Sequence, residues 1–291
     1  MTRVRERVLV LDGALGSELA RAGVPTPAPL WSAWALLHRP EAVLRLHRAY
    51  AAAGADVHTT DTFRATRRAL RAALARARAR GRDDPAVRRA LARYPELVAD
   101  AVGLARAGAR SVTRPRQRVA GSLAPLEDCY HPERSPRHAR VEHRAMARAL
   151  ARAGVDLILC ETFPHVGEAL VAVEEAVATG RETWVSWSPG PRARLLTPLE
   201  IGRGAERAAR AGASVCLVNC LPPEASLPYL AALRAVGVPF GIYANVMGRA
   251  ALSPRRYAAW AARWVDAGAS VVGGCCGAGP AHVRAVREVV G

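Results

Sequence analysis

The sequence predicts an α/β protein built as a (β/α)8 TIM barrel, a single domain over residues 1–291. Eight short, β-branched apolar runs recur along the chain, ending in small, polar or thiol residues and followed by Ala/Leu/Arg-rich stretches of helical periodicity. Several of those stretches begin at proline, which suits a first helical turn, and many end at Gly or Ala-Gly just before the next run. Parallel neighbours need a helical crossover, and closing the sheet hides both edges. A doubly wound open sheet is the alternative.

The first run, 8–12, follows directly on Met1 to Glu6, so no signal peptide is expected there. A helical run follows Gly13, and a helix over 41–53 ends at Gly54. The second run, 55–60, leads into a two-helix crossover, 65–80 and 85–107; Asp83 and Asp84 before Pro85 put carboxylates at the positive end of the second helix dipole. Runs 118–122, 156–161, 183–188, 214–220, 239–245 and 270–276 then alternate with helices 138–153, 166–179, 198–211, 223–236 and 254–267, and a terminal helix covers 280–290. The Pro/Arg-rich segments 110–117 and 131–137 are short enough to be surface connections within one domain.

The formal net charge is +17, from 42 Lys+Arg against 25 Asp+Glu. A strongly basic domain attracts phosphates without regard to sequence, so a basic nucleic-acid-binding protein is a competing reading. The distribution argues against specific nucleic-acid recognition. The basic residues are all Arg, as a GC-rich coding bias would produce, and Arg67, Arg68, Arg71, Arg76, Arg78 and Arg80 fall on an outer helix face. No apolar run reaches the roughly 20 residues needed to cross a bilayer, so a soluble, cytoplasmic protein is expected. In that compartment the six cysteines should be reduced thiols and not a disulfide network. The sequence leaves the oligomeric state open.

In a barrel of this kind the active site forms at the carboxyl ends of the strands. Those ends carry Asp12, Thr59, Thr60, Asp61, Ser122, Glu161, Ser188, Cys220, Asn245, Cys275 and Cys276. Three thiolates, Cys220, Cys275 and Cys276, can hold one zinc ion (Zn2+) with a fourth position open, as in catalytic sites. Neighbouring strand residues point to opposite faces, so Cys275 and Cys276 reach one ion only across a sharp turn, for which Gly273, Gly274 and Gly277 offer freedom. The competing readings are two ordinary buried thiols or a vicinal disulfide at 275–276, and a small core residue at Cys220. Cys129, Cys160 and Cys216 are expected to be buried and inert. A free thiol has a pKa near about 8.5, and zinc strips its proton while leaving a lone pair for attack. A thiolate-rich shell is a poor Lewis acid for polarising water, which disfavours a hydrolase. Asp12 is read either as a ligand carboxylate or as the cap of the following helix. For Glu161 the alternative is a surface ion pair.

Taken together, these residues resemble the homocysteine S-methyltransferase family, and the match runs nearly end to end. It rests on D-G-A-L-G-S-E-L at 12–19, L-W-S-A at 30–33, G-A-D-V-H-T-T-D-T-F at 54–63, G-S-L-A-P at 121–125, E-T-F-P-H-V-G-E-A at 161–169, V-N-C at 218–220 and G-G-C-C-G-A-G-P at 273–280, the last two being the most specific. The resemblance implies a zinc-bearing (β/α)8 barrel whose small-molecule substrates are homocysteine and a methyl donor, the product being methionine. It places the metal and catalytic residues at Cys220, Cys275 and Cys276. Substrate-binding residues would be Asp12, Gly13, Glu161, Asn245, Thr60 and Ser122, with Glu161 on the substrate ammonium. Asn245 would help fill the open metal position in the absence of substrate. Backbone N–H groups of Gly13 and Ala14 are candidates for the substrate carboxylate.

The L-W-S-A segment resembles members that use S-methylmethionine more than those that use betaine; S-adenosylmethionine is the alternative sulfonium donor. Trp31, Trp34, Phe63, Trp187 and Tyr243 are candidates for an aromatic cradle around such a cation. Nothing resembles cobalamin- or folate-binding modules. The chain departs from the family pattern in Asp61 for asparagine, Ala124 for glycine, Ala244 for proline and Ala278 for threonine. Asp61 adds negative charge near the mouth, which suits a cationic donor or signals another acceptor. A related zinc-thiolate methyltransferase acting on another thiol or selenol is therefore the alternative within the same chemistry.

Overall fold

The computed structural model describes residues 7–115, 117–247 and 251–291; Met1 to Glu6 lies outside the described residues. Its strands are β1 (Leu9–Val10), β2 (Val57–Thr59), β3 (Arg118–Leu123), β4 (Leu157–Phe163), β5 (Glu182–Trp187), β6 (Val215–Asn219), β7 (Phe240–Ala244) and β8 (Val271–Gly274). They form one sheet in the order β1-β8-β7-β6-β5-β4-β3-β2, with parallel pairings throughout. A parallel bridge between Leu11 and Val57 joins β1 to β2. Across that junction Asp12 N donates to Val57 O at 3.0 Å and Asp56 N donates to Val10 O at 2.7 Å. The sheet is thus a (β/α)8 barrel and not an open doubly wound sheet.

Twelve helices are found among the described residues: α1 (Leu15–Arg21), α2 (Ala33–His38), α3 (Pro40–Ala53), α4 (Arg67–Arg78), α5 (Pro85–Ala92), α6 (Tyr94–Ala109), α7 (Arg140–Arg152), α8 (Val166–Val177), α9 (Pro198–Arg210), α10 (Ser226–Arg234), α11 (Pro254–Asp266) and α12 (Pro280–Val290). The crossover expected as two helices holds three. The helix expected over 85–107 breaks at Arg93 (φ −111, ψ 45), and Pro95 sits in the first turn of α6. Proline has no N–H to give and its ring blocks a continuous helix, so the chain restarts there. Asp84 caps α5, accepting from Ala86 N and Val87 N at 3.1 Å. No helix among the described residues is long and apolar enough to cross a membrane.

Strand alternation divides the core into two layers. Leu11, Val57, Ala120, Leu157, Leu159, Trp184, Val215, Leu217, Tyr243 and Val271 fill the barrel interior. Val10, Val119, Ile158, Cys160, Val185, Trp187, Cys216, Val218, Ile242 and Val272 face outward and pack with the helices. At the amino-terminal end, the buried Asp56 ties the first and last parts of the barrel together: Arg7 approaches it at 2.8 Å, Arg114 at 3.6 Å, and Arg287 of α12 also bonds it. Charge spent there serves stability, because chemistry in this fold gathers at the opposite rim.

Candidate active site

Cys220 follows β6 at a position that alternation would turn outward, together with Cys216 and Val218. Its φ of +56 reverses that direction and brings its Sγ to 2.8 Å from Cys275 Sγ. After β8, Asn245 Oδ1 accepts from Cys276 N at 3.1 Å, and Gly277 takes φ +85 to complete the turn. Gly273 and Gly274 serve close packing instead: a Cβ would sit 2.5 Å from Leu11 Cβ at the first and 2.2 Å from Ala278 Cβ at the second. One sulfur from each of Cys220, Cys275 and Cys276 lies within 4.8 Å of the others.

All six cysteines are free, so there is no vicinal disulfide. Burial pushes the Cys129 and Cys216 thiols up to about 12 and raises Cys160 as well, which keeps them inert. Within the cluster, hydrogen bonding to Cys275 and Cys276 raises Cys220, whereas hydrogen bonds from Cys220 and Cys275 hold Cys276 well below the usual thiol range. Three soft sulfurs at this spacing, buried or half-buried at a cavity wall, fit a thiophilic ion such as zinc. Tyr130, which no motif had marked, and Asn219, the middle residue of V-N-C, complete the surroundings. The Tyr130 hydroxyl lies 3.8 Å from Cys220 Sγ and 4.0 Å from Cys276 Sγ. Asn219 Nδ2 lies 3.8 Å from Cys275 Sγ and donates to Thr162 Oγ1 at 2.8 Å.

Asp12 is not a helix cap. The N-cap of α1 is Ala14, without a side-chain bond, and the Asp12 oxygens accept from Thr59 N at 2.8 Å and Thr59 Oγ1 at 2.9 Å. Burial pushes Asp12 up to about 8. Behind it stand His47 and His58, each with a ring nitrogen within 4.8 Å of the carboxylate, a grouping the motifs did not reveal. Burial lowers His47 to about 3 and lowers His58 too, which favours the neutral imidazole in each. Because Thr59 already engages both Asp12 oxygens, this second grouping fits a metal less well than the thiols do.

Glu161 continues the inward register of Leu157 and Leu159. It is buried, not a surface ion pair: Ser122 Oγ bonds Oε1, and Tyr243 OH donates to Oε2 at 3.4 Å. Burial pushes it up to about 7. Thr60 Oγ1 accepts from Ser122 N at 3.0 Å, so Thr60 supports Ser122 and Ser122 supports Glu161. At Gly13 a Cβ would meet Ala278 O at 2.2 Å, so only glycine passes there. The Ala14 N–H, expected to be open to a carboxylate, is spent on Ala278 O at 3.0 Å.

A cavity of about 930 Å³ joins these groups, lined by Asp12, Asp61, Glu161 and the three cysteines, with Gly13, Thr60 and Asn245 in its walls. Trp31, Phe63 and Tyr243 reach it. Trp34 and Trp187 do not: Trp34 stacks on His38 with ring centroids 4.4 Å apart, and Trp187 faces outward among the helices.

A family model described as homocysteine S-methyltransferase matches residues 9–290. Homocysteine S-methyltransferase 1 of Zea mays is 29% identical over 321 residues, covering 97% of this chain and 94% of that protein. Homocysteine S-methyltransferase of Escherichia coli is 28% identical over 315 residues, covering 97% and 95%. A crystal structure of the homocysteine methyltransferase MmuM from Escherichia coli, in a metallated form, superposes with a TM-score of 0.77 at 27% identity, covering 98% of this chain and 96% of that one.

Proposed function

Because the chain belongs to the homocysteine S-methyltransferase family, we propose that it moves a methyl group from a sulfonium donor, S-methylmethionine first, to the sulfur of L-homocysteine, giving methionine. The observation that carries this reading is the meeting of Cys220, Cys275 and Cys276 at one cavity wall. These residues would hold zinc, which when bound makes an incoming thiol a thiolate at neutral pH.

The remaining residues position the reactants. Glu161 and Asp12 are buried carboxylates held by uncharged partners, Ser122 and Tyr243 on one and Thr59 on the other. Neither is paired with a cation of the protein, so the ammonium of a substrate can take that place and favour their charged form, and fixing that ammonium orients the sulfur for in-line attack. Asn245 keeps the 275–276 turn in place through Cys276 N. Trp31, Phe63 and Tyr243 offer aromatic faces to a sulfonium. As the methyl moves, the donor's S–CH3 bond breaks and its electron pair stays on the donor sulfur, while a new S–C bond forms on the acceptor. Positive charge is lost from the donor, and a low-dielectric cavity favours that neutralisation.

Reduced, zinc-loaded protein given homocysteine should form methionine with S-methylmethionine, tested beside S-adenosylmethionine and betaine in separate reactions. Cys220→Ala should lose both zinc and activity. Full metal content and turnover in that variant, or no methionine from any donor with zinc verified in the same sample, overturns the reading.

A further inference from the structure

Three buried carboxylates line the cavity, and two of them are anchored: Asp12 by Thr59, Glu161 by Ser122 and Tyr243. The third, Asp61, is 1% exposed, and neither of its oxygens has a hydrogen-bond partner among the described residues. It follows β2 on the inward register of Val57 and Thr59. An unpartnered carboxylate taken out of water is expensive to keep. Burial accordingly pushes Asp61 up to about 7, with the nearby Ser32 hydroxyl offsetting part of the shift.

The neighbouring cations are committed elsewhere. Arg64 donates to Glu127 O at 2.7 Å and stacks over Phe63 at 5.2 Å. Arg68 pairs with Glu127 at 2.6 Å and Glu142 at 2.5 Å. Arg76, the third arginine of the cavity lining, makes no hydrogen bond to it either, so holding Asp61 in its charged form takes a cation brought by a ligand.

Hydrogen-bonding capacity says which ligand. Homocysteine brings one ammonium. A sulfonium amino acid brings a second, whose N–H groups can donate to the two unpaired oxygens of Asp61, whereas its sulfonium has no N–H to give. An onium donor without an amino group leaves both Asp61 oxygens without a donor. We propose that Asp61 is the subsite for the α-ammonium of the methyl donor, selecting α-amino-acid sulfonium compounds over onium donors that lack an amino group. The assignment rests on the methyl-transfer reading above and gives its donor a chemical class.

The test is calorimetric binding to zinc-loaded protein of S-methylmethionine and of 4-(dimethylsulfonio)butanoate, the same sulfonium without the α-amino group. Asp61→Asn keeps shape and volume and removes the charge. It should weaken S-methylmethionine by about tenfold or more, while leaving 4-(dimethylsulfonio)butanoate and homocysteine within about twofold of wild type. Unchanged homocysteine binding and zinc content show that the variant is folded. Equal losses for the two sulfonium ligands, or no loss for either, overturn the assignment and leave the methyl-transfer reading standing. A wild-type protein that binds neither sulfonium removes both.

Discussion

Glu161 has one oxygen on Ser122 and the other on Tyr243, so its neutral amide counterpart fits the same space. Glu161→Gln should fold and keep its zinc but bind homocysteine about ten- to a hundredfold more weakly, the scale of a lost charge-assisted bond. Calorimetry on the zinc-loaded variant checks this, and undiminished affinity would place the ammonium elsewhere. Glu161 and Asp61 were legible in the sequence because they stand at the carboxyl ends of predicted strands, the rim where a barrel gathers its chemistry. Cys220 shows where that legibility stops. Alternation points it away from the cavity, and the positive φ that turns it back is not written in V-N-C-L; its place at a strand end on the same rim, and not its register, grouped it with the other two thiols. Tyr130 was invisible, since its place beside the sulfurs depends on how the loop after β3 folds. Trp187 was assigned to the mouth although its register sends it outward.

At the scale of elements, the ends of β7 and β8 must be held in fixed relation for Asn245, Cys275 and Cys276 to meet. Tyr257 of α11 supplies the tie: its buried hydroxyl lies 2.9 Å from Ala244 O and 2.6 Å from Gly273 O, and it accepts from Ala244 N at 3.1 Å. The family's usual proline at position 244 has no N–H, so the Ala244 departure gives this hydroxyl a donor it would otherwise lack. Tyr257→Phe should lower stability by about 1–3 kcal/mol, the penalty for buried groups left unpaired, and should weaken zinc retention against a chelator. Denaturant melts together with a chelator competition measure both; unchanged retention would mean that the turn holds itself. Strands and most helices were legible because period 2 and period 3.6 are both strong here. The break before α6 was also encoded, in the Tyr94-Pro95 step, but an otherwise continuous apolar stripe masked it.

At the scale of the molecule, the three cavity carboxylates make stability depend on pH. Burial raises Asp12 to about 8 and Asp61 and Glu161 to about 7, above their unfolded values, so the folded state binds the extra protons. The stability linked to those protons is full below about pH 4 and is lost as pH climbs through 7 to 8. Metal-free, reduced protein should therefore melt at a lower temperature at about pH 8 than at about pH 5, by about 2–4 °C for each kcal/mol involved. Asp61→Asn should flatten the curve, and a melting temperature that rises across this window would contradict the protonation scheme. Some of the arginines are held in ion pairs, as Arg140 and Arg144 are with Glu175, while the formal net charge stays at +17. The order in which the sulfurs occur along the chain also governs assembly on the ribosome. Translation delivers Cys220 well before Cys275 and Cys276, and β1 waits for Val271 and Val272 of the last strand to pair with Leu9 and Val10. Pairing of β8 with β1 and delivery of the last two thiols therefore come at the same stage of synthesis. On the zinc reading proposed above, a chain whose eighth strand is not yet made would offer the ion a single sulfur of the set.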